Sequence, residues 1–104
     1  MTDAERWLRE HTVDAPAELL EVMIGALPPN FPGGTPAALA AAAITLYEEV
    51  IDGGGGREAA LPLLAADALF THAFEVQMEI DPGGLEEFAA KWGGTGSLGR
   101  LASP

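Results

Sequence analysis

From Leu61 to Ile80 the chain reads LPLLAADALFTHAFEVQMEI, and winding it at about 100° per residue leaves a narrow polar stripe of His72, Glu75 and Glu79. A helix apolar over most of its circumference is expected to be buried on most sides, the central rod of a small helical domain. The flanking segments repeat the 3.6-residue pattern. Thr2 and Glu5 have capping-box spacing and predict a short helix over Asp3 to His11, with Ala4, Trp7, Leu8 and His11 on one side. Asp14 can cap a second helix beginning near Pro16, whose Leu19, Leu20, Val22, Met23, Ile24, Ala26 and Leu27 form one broad arc until Pro28-Pro29 ends it.

A turn over Asn30 to Gly34 leads to Thr35-Pro36, a start signal for a third helix running to about Asp52. Its apolar face is Leu39, Ala40, Ala43, Ile44, Leu46, Tyr47, Val50 and Ile51, and the alanines let a neighbouring backbone approach closely. Gly53 to Gly56 make a flexible connection to the central helix, which is expected to begin near Ala59 with Pro62 in its first turn. Asp81-Pro82 restarts the chain, and Leu85, Phe88, Ala89 and Trp92 line a final short helix. The expectation is an all-α, single-domain bundle of four to five helices over residues 1–94, followed by a flexible tail over 95–104.

Charge narrows the classes of partner. Sixteen acidic residues against five basic ones give a formal charge of −11, a field that repels phosphate backbones and anionic headgroups. Neither nucleic acid nor a membrane surface is expected as a partner. There is no cysteine, hence no disulfide or thiolate chemistry. The charged start MTDAERWLREH has no signal-peptide core, and the apolar run Pro36 to Ile44 is too short to span a bilayer. A cytoplasmic location is expected.

Candidate chemistry is sparse. His72, Glu75 and Glu79, at i, i+3 and i+7, offer donors suited to a divalent metal, while the plainer reading makes them the solvated strip of a buried helix. Asp67 and Gln77 fall inside the apolar arc, where an unpaired polar group costs roughly 1–3 kcal/mol or more. Each therefore needs a partner, and Arg57, a helix N-terminus or the Tyr47 hydroxyl can supply one. His11, one turn from Trp7, reads as a packed imidazole. The glycines before Arg57 lack the lysine and hydroxyl of a phosphate-binding loop, no serine sits in a nucleophile elbow, and no cofactor is implied.

Residues 57–81, with Ala66-Asp67 before a leucine-rich stretch and Ala73-Phe74-Glu75 at its close, resemble one helix of the all-α isoprenyl diphosphate synthases. That family's aspartate-rich motifs for magnesium and diphosphate have no counterpart here. The resemblance therefore implies a packing style, and a small helical protein that binds an apolar chain or accompanies such an enzyme, rather than the family's catalysis. In the tail, Gly96-Ser97-Leu98-Gly99-Arg100-Leu101 is similar to the Gly-Ser-Leu peptides that load cargo into encapsulin shells, or simply lays Leu98 and Leu101 on the bundle.

Helices this short are expected to leave a strip of the central helix uncovered. A homodimer burying Leu64, Phe70, Phe74 and Met78 would close it. The functional expectation is a non-enzymatic interaction or accessory protein that self-associates, with another protein as a further possible partner. The alternatives are a binder of a small apolar ligand, seated where alanines leave space beside the third helix, and a metal-binding helical protein.

Overall fold

The Thr2 hydroxyl accepts from the Glu5 N–H at 3.1 Å and so opens α1, Asp3–His11. Ala4 and Leu8 turn inward and are buried, while Arg6 and Arg9 pair along the surface with Asp3 and Glu5. The computed structural model describes residues 1–29, 31, 33–54, 56–94 and 96–102. Asn30 and Pro32 of the expected turn, Gly55 of the glycine connection, and Thr95, Ser103 and Pro104 of the expected tail lie outside them.

Helix α2, Ala17–Gly25, starts directly from Pro16 at φ −56°, and no side chain caps it. Asp14 therefore does not serve as the expected cap, because the helix begins too far beyond it. Helix α3, Gly34–Asp52, begins one residue before the predicted start, and Gly34 itself takes φ +83°, a turn value that favours glycine rather than a helical one. A single 3₁₀ turn, Arg57–Ala59, runs into α4, Ala60–Ile80, with Pro62 in its first turn as expected. A second 3₁₀ turn at Pro82–Gly84 precedes α5, Leu85–Trp92.

The stretch expected as a loose tail carries a further short helix, α6, Ser97–Ala102, which touches α3 and α5. Glycines make this possible: a Cβ at Gly96 would collide with the Lys91 carbonyl, and one at Gly99 with the Gly94 carbonyl. Leu98 and Leu101 are half-buried, as the packing alternative requires. No strand occurs among the described residues, and the molecule is an all-α bundle.

The most extensive contact joins α3 to α4. Ala40, Ala42 and Ala43 on one helix and Ala65, Ala66 and Ala73 on the other are fully buried. Side chains of one carbon let the two helices close on each other. The alanines therefore fill the interface instead of leaving space there. Around it sit Leu8, Met23, Leu39 and Leu69, the largest fully buried side chains.

Candidate functional site

Helix α4 departs from the rod expected of it. The segment Arg57–Ile80 is long and apolar enough to cross a bilayer by length and composition alone, yet only 28% of its most apolar window is buried. Helices α2 and α3 pack on one side of α4, and α5 reaches it near its end. Ala65, Ala66, Leu69, Ala73 and Val76 face that packing. The opposite arc carries Leu63, Leu64, Asp67, Thr71, Glu75 and Met78, all exposed.

The sequence placed the solvated strip at His72, Glu75 and Glu79, roughly a quarter turn from the centre of the open arc. His72 lies at the boundary because its ring packs on Trp7, centroids 5.3 Å apart, while the Trp7 indole stacks on His11 at 4.3 Å. His11 also donates from Nδ1 to the Trp7 carbonyl at 2.9 Å, so it is stacked on the indole while remaining exposed, rather than packed inside. An indole between two imidazoles ties α1 to α4 and draws His72 inward.

Every residue placed at a prospective interface lies on the open side. Leu64 is 55% and Met78 49% exposed, and Phe70 and Phe74 are half-buried between them. Leu63 at 41% extends the strip at its N-terminal end, while Ile80, 65% exposed, closes α4 on the side of Leu69 and Val76. The sequence reading does not name Leu63. The readable signal was Asp67, Thr71 and Glu75, polar residues at four-residue spacing on an otherwise apolar helix.

One edge of the strip is aromatic. Tyr47 meets Phe70 edge-on at 6.4 Å, Phe70 meets Phe74 at 5.2 Å, and Phe74 meets Phe88 of α5 at 5.2 Å. Edge-to-face pairs of this kind hold rings in fixed relative orientation, so the partly exposed Phe70 and Phe74 are anchored from below.

Asp67 is exposed rather than buried, since the arc it occupies is the one no helix covers. Its carboxylate accepts from the Tyr47 hydroxyl, one of the partners expected for it. Burial, the hydrogen bond and the negative charge of Asp67 together push the Tyr47 phenol well above its ordinary value, burial contributing most. Gln77 is half-buried, and its amide donates to the Asp81 carbonyl at 2.8 Å, satisfying backbone just past the end of α4. No buried side-chain polar atom is without a partner among the described residues.

The metal stripe does not assemble. His72 Nδ1 lies 3.4 Å from a Glu75 carboxylate oxygen, but no set of three such side chains converges on one point among the described residues. The ring of His72 is held against Trp7, away from Glu79, which stays in solvent. A shallow hollow of about 220 Å³ beside His72 is floored by Leu19, Met23 and Ala68 and rimmed by His11 and Asp14. It falls short of the several hundred cubic ångströms typical of small-molecule sites.

Comparison with protein-family models, with curated proteins and with solved structures finds no match to this chain.

Proposed function

We propose that this chain is a non-enzymatic interaction or accessory protein that works through the open strip of α4 and self-associates through it. The observation that carries the reading is the exposure of Leu64 and Met78 on either side of half-buried Phe70 and Phe74, along one face of a single rigid helix. Monomers seldom expose several large apolar side chains along one helix face, and such faces mark sites of contact with another chain. Aromatic side chains such as Phe70 and Phe74, here along one edge of the strip, are also what interface cores are enriched in.

A second copy is the partner always available, and pairing α4 with α4 would bury Leu64, Phe70, Phe74 and Met78 together. Sedimentation equilibrium of the full chain over a wide concentration range tests this. The expected result is a concentration-dependent dimer, reduced to monomer in Leu64→Ser/Met78→Ser. A monomer at every concentration, unchanged in that variant, would remove self-association from the reading. Native mass spectrometry of the same samples separates the alternatives: a retained apolar molecule, or mass lost to chelator, would replace it with a ligand or metal function.

A further inference from the structure

The charges carried by α3 and α4 are all of one sign. On α3 they are Glu48, Glu49 and Asp52, and on α4 they are Asp67, Glu75 and Glu79; neither helix carries a lysine or arginine. The five basic side chains sit elsewhere: Arg6 and Arg9 on α1, Arg57 on the 3₁₀ turn before α4, Lys91 on α5 and Arg100 on α6. Arg6 and Arg9 are paired with acids of their own helix, and Lys91 lies over the Trp92 ring at 5.3 Å. The apolar strip thus lies on a pair of helices whose own charges are all acidic.

We infer that the preferred occupant of this strip is a basic amphipathic helix of another protein, which competes with the second copy for the same face. The inference rests on the reading of the strip as a contact surface and specifies the chemistry of its partner. Leu64 and Met78 stand about 21 Å apart along the axis, the rise of fourteen residues. That span matches about four turns of a docked helix presenting apolar residues at i, i+4, i+7, i+11 and i+14. Phe70 and Phe74 would receive the central ones, and Asp67, Glu75 and Glu79 would meet lysines or arginines at the borders.

Charge decides between the candidate occupants. A two-fold pairing of α4 with its copy brings Asp67 and Glu75 against the same acids, with no cation on α3 or α4 to offset them, so self-association works against its own electrostatics. An anionic lipid surface meets the same repulsion. A basic helix gains on both counts, since its apolar stripe covers the leucines and its cations meet carboxylates in a partly desolvated setting. Asp67 is the centre of this arrangement, because it interrupts the apolar arc and the Tyr47 hydroxyl engages Oδ1 and helps hold its side chain.

The two occupants have opposite salt dependence, which makes the inference testable. Two labelled synthetic peptides with identical leucine spacing, one flanked by lysines and one by glutamates, are titrated with the full chain by fluorescence anisotropy. The lysine peptide is expected to bind at least about tenfold more tightly than the glutamate peptide and to lose affinity as salt rises from about 0.1 M to about 1 M. Self-association, read by sedimentation in parallel, is expected to strengthen over the same range and to be displaced by the lysine peptide. The Glu75→Lys/Glu79→Lys variant should narrow the preference between peptides, and Leu64→Ser/Met78→Ser should abolish both interactions while circular dichroism stays helical.

Equal binding of the two peptides, or lysine-peptide binding that leaves a dimer intact, overturns the inference and leaves the contact surface standing. A chain that dimerises and binds neither peptide does the same. A chain that neither dimerises nor binds either peptide overturns both.

Discussion

The Tyr47 hydroxyl on α3 donates to the Asp67 carboxylate on α4, so a polar tie joins two helices otherwise held together by alanine. The bond spans twenty residues of sequence, whereas those from Arg9 to Glu5, Thr45 to Ala41 and Thr71 to Asp67 each stay within one helix turn. It fixes Tyr47 beneath the edge of the apolar strip and Asp67 within it. Tyr47→Phe should lower the free energy of unfolding by about 1 kcal/mol, the net worth of a partly solvated hydrogen bond, as read from urea denaturation. Asp67→Asn should cost less, since an amide still accepts the bond. A loss of several kcal/mol in Tyr47→Phe would mean that the ring packing, not the bond, had been disturbed.

Burial of the Tyr47 phenol, reinforced by the same bond and by the Asp67 charge, makes stability fall at alkaline pH. Tyr47 is the single tyrosine of the chain, so its ionisation is read without interference from another phenol. Its folded-state pKa lies above the ordinary value of 10.0. The unfolded chain therefore releases this proton at lower pH than the folded one. The stabilisation is complete below about pH 10 and declines as pH rises from there toward the folded pKa. Thermal melts are expected to fall more steeply above pH 10 in the wild type than in Tyr47→Phe, and tyrosinate absorbance of the folded protein should appear late. Tyrosinate appearing at the ordinary pH in the folded protein would contradict this.

The buried and open arcs of α4 should respond differently to truncation. Leu69→Ala removes a fully buried side chain and is expected to cost about 2–5 kcal/mol, with the cavity adding to the lost transfer free energy. Ala43→Leu, which forces bulk between α3 and α4, should cost about 1–3 kcal/mol. Leu64→Ser should cost no more than about 1 kcal/mol when measured on the dilute monomer, because about half of the side chain is already in water and the rest of the loss is helix propensity. Denaturant melts of the three variants rank them, and a Leu64→Ser variant as unstable as Leu69→Ala would refute the assigned facing of the helix.

Helix α6 depends on side chains that are absent. Gly99→Ala would drive a Cβ into the Gly94 carbonyl, and Gly96→Ala one into the Lys91 carbonyl. Either substitution should unpack α6 while leaving α1 to α4 intact. Limited proteolysis is expected to cleave beyond Trp92 faster in these variants, with little change in the main thermal transition. Unchanged cleavage would show that the close approach of these backbones does not hold α6.

Much of the fold was legible because short-range chemistry specifies it. Thr2 with Glu5 marks a cap, Thr35-Pro36 and Asp81-Pro82 mark restarts, and the glycines between Asp52 and Arg57 mark a break, all through interactions a few residues long. The alanines of α3 likewise announced a close neighbour, and the need of Asp67 for a partner, with Tyr47 among the candidates, followed from the cost of an unpaired polar group. The facing of α4 was another matter. A helix apolar nearly all round has no strongly preferred direction, so periodicity cannot say which arc faces water. Packing against α2, α3 and α5 made that choice, turning Asp67 out, drawing His72 onto Trp7 and leaving Leu63, Leu64 and Met78 open. Local residue chemistry determined α1 to α5 and most of their ends; only the tertiary structure decided α6 and the exposed face of α4, because both depend on the helices that happen to be within reach.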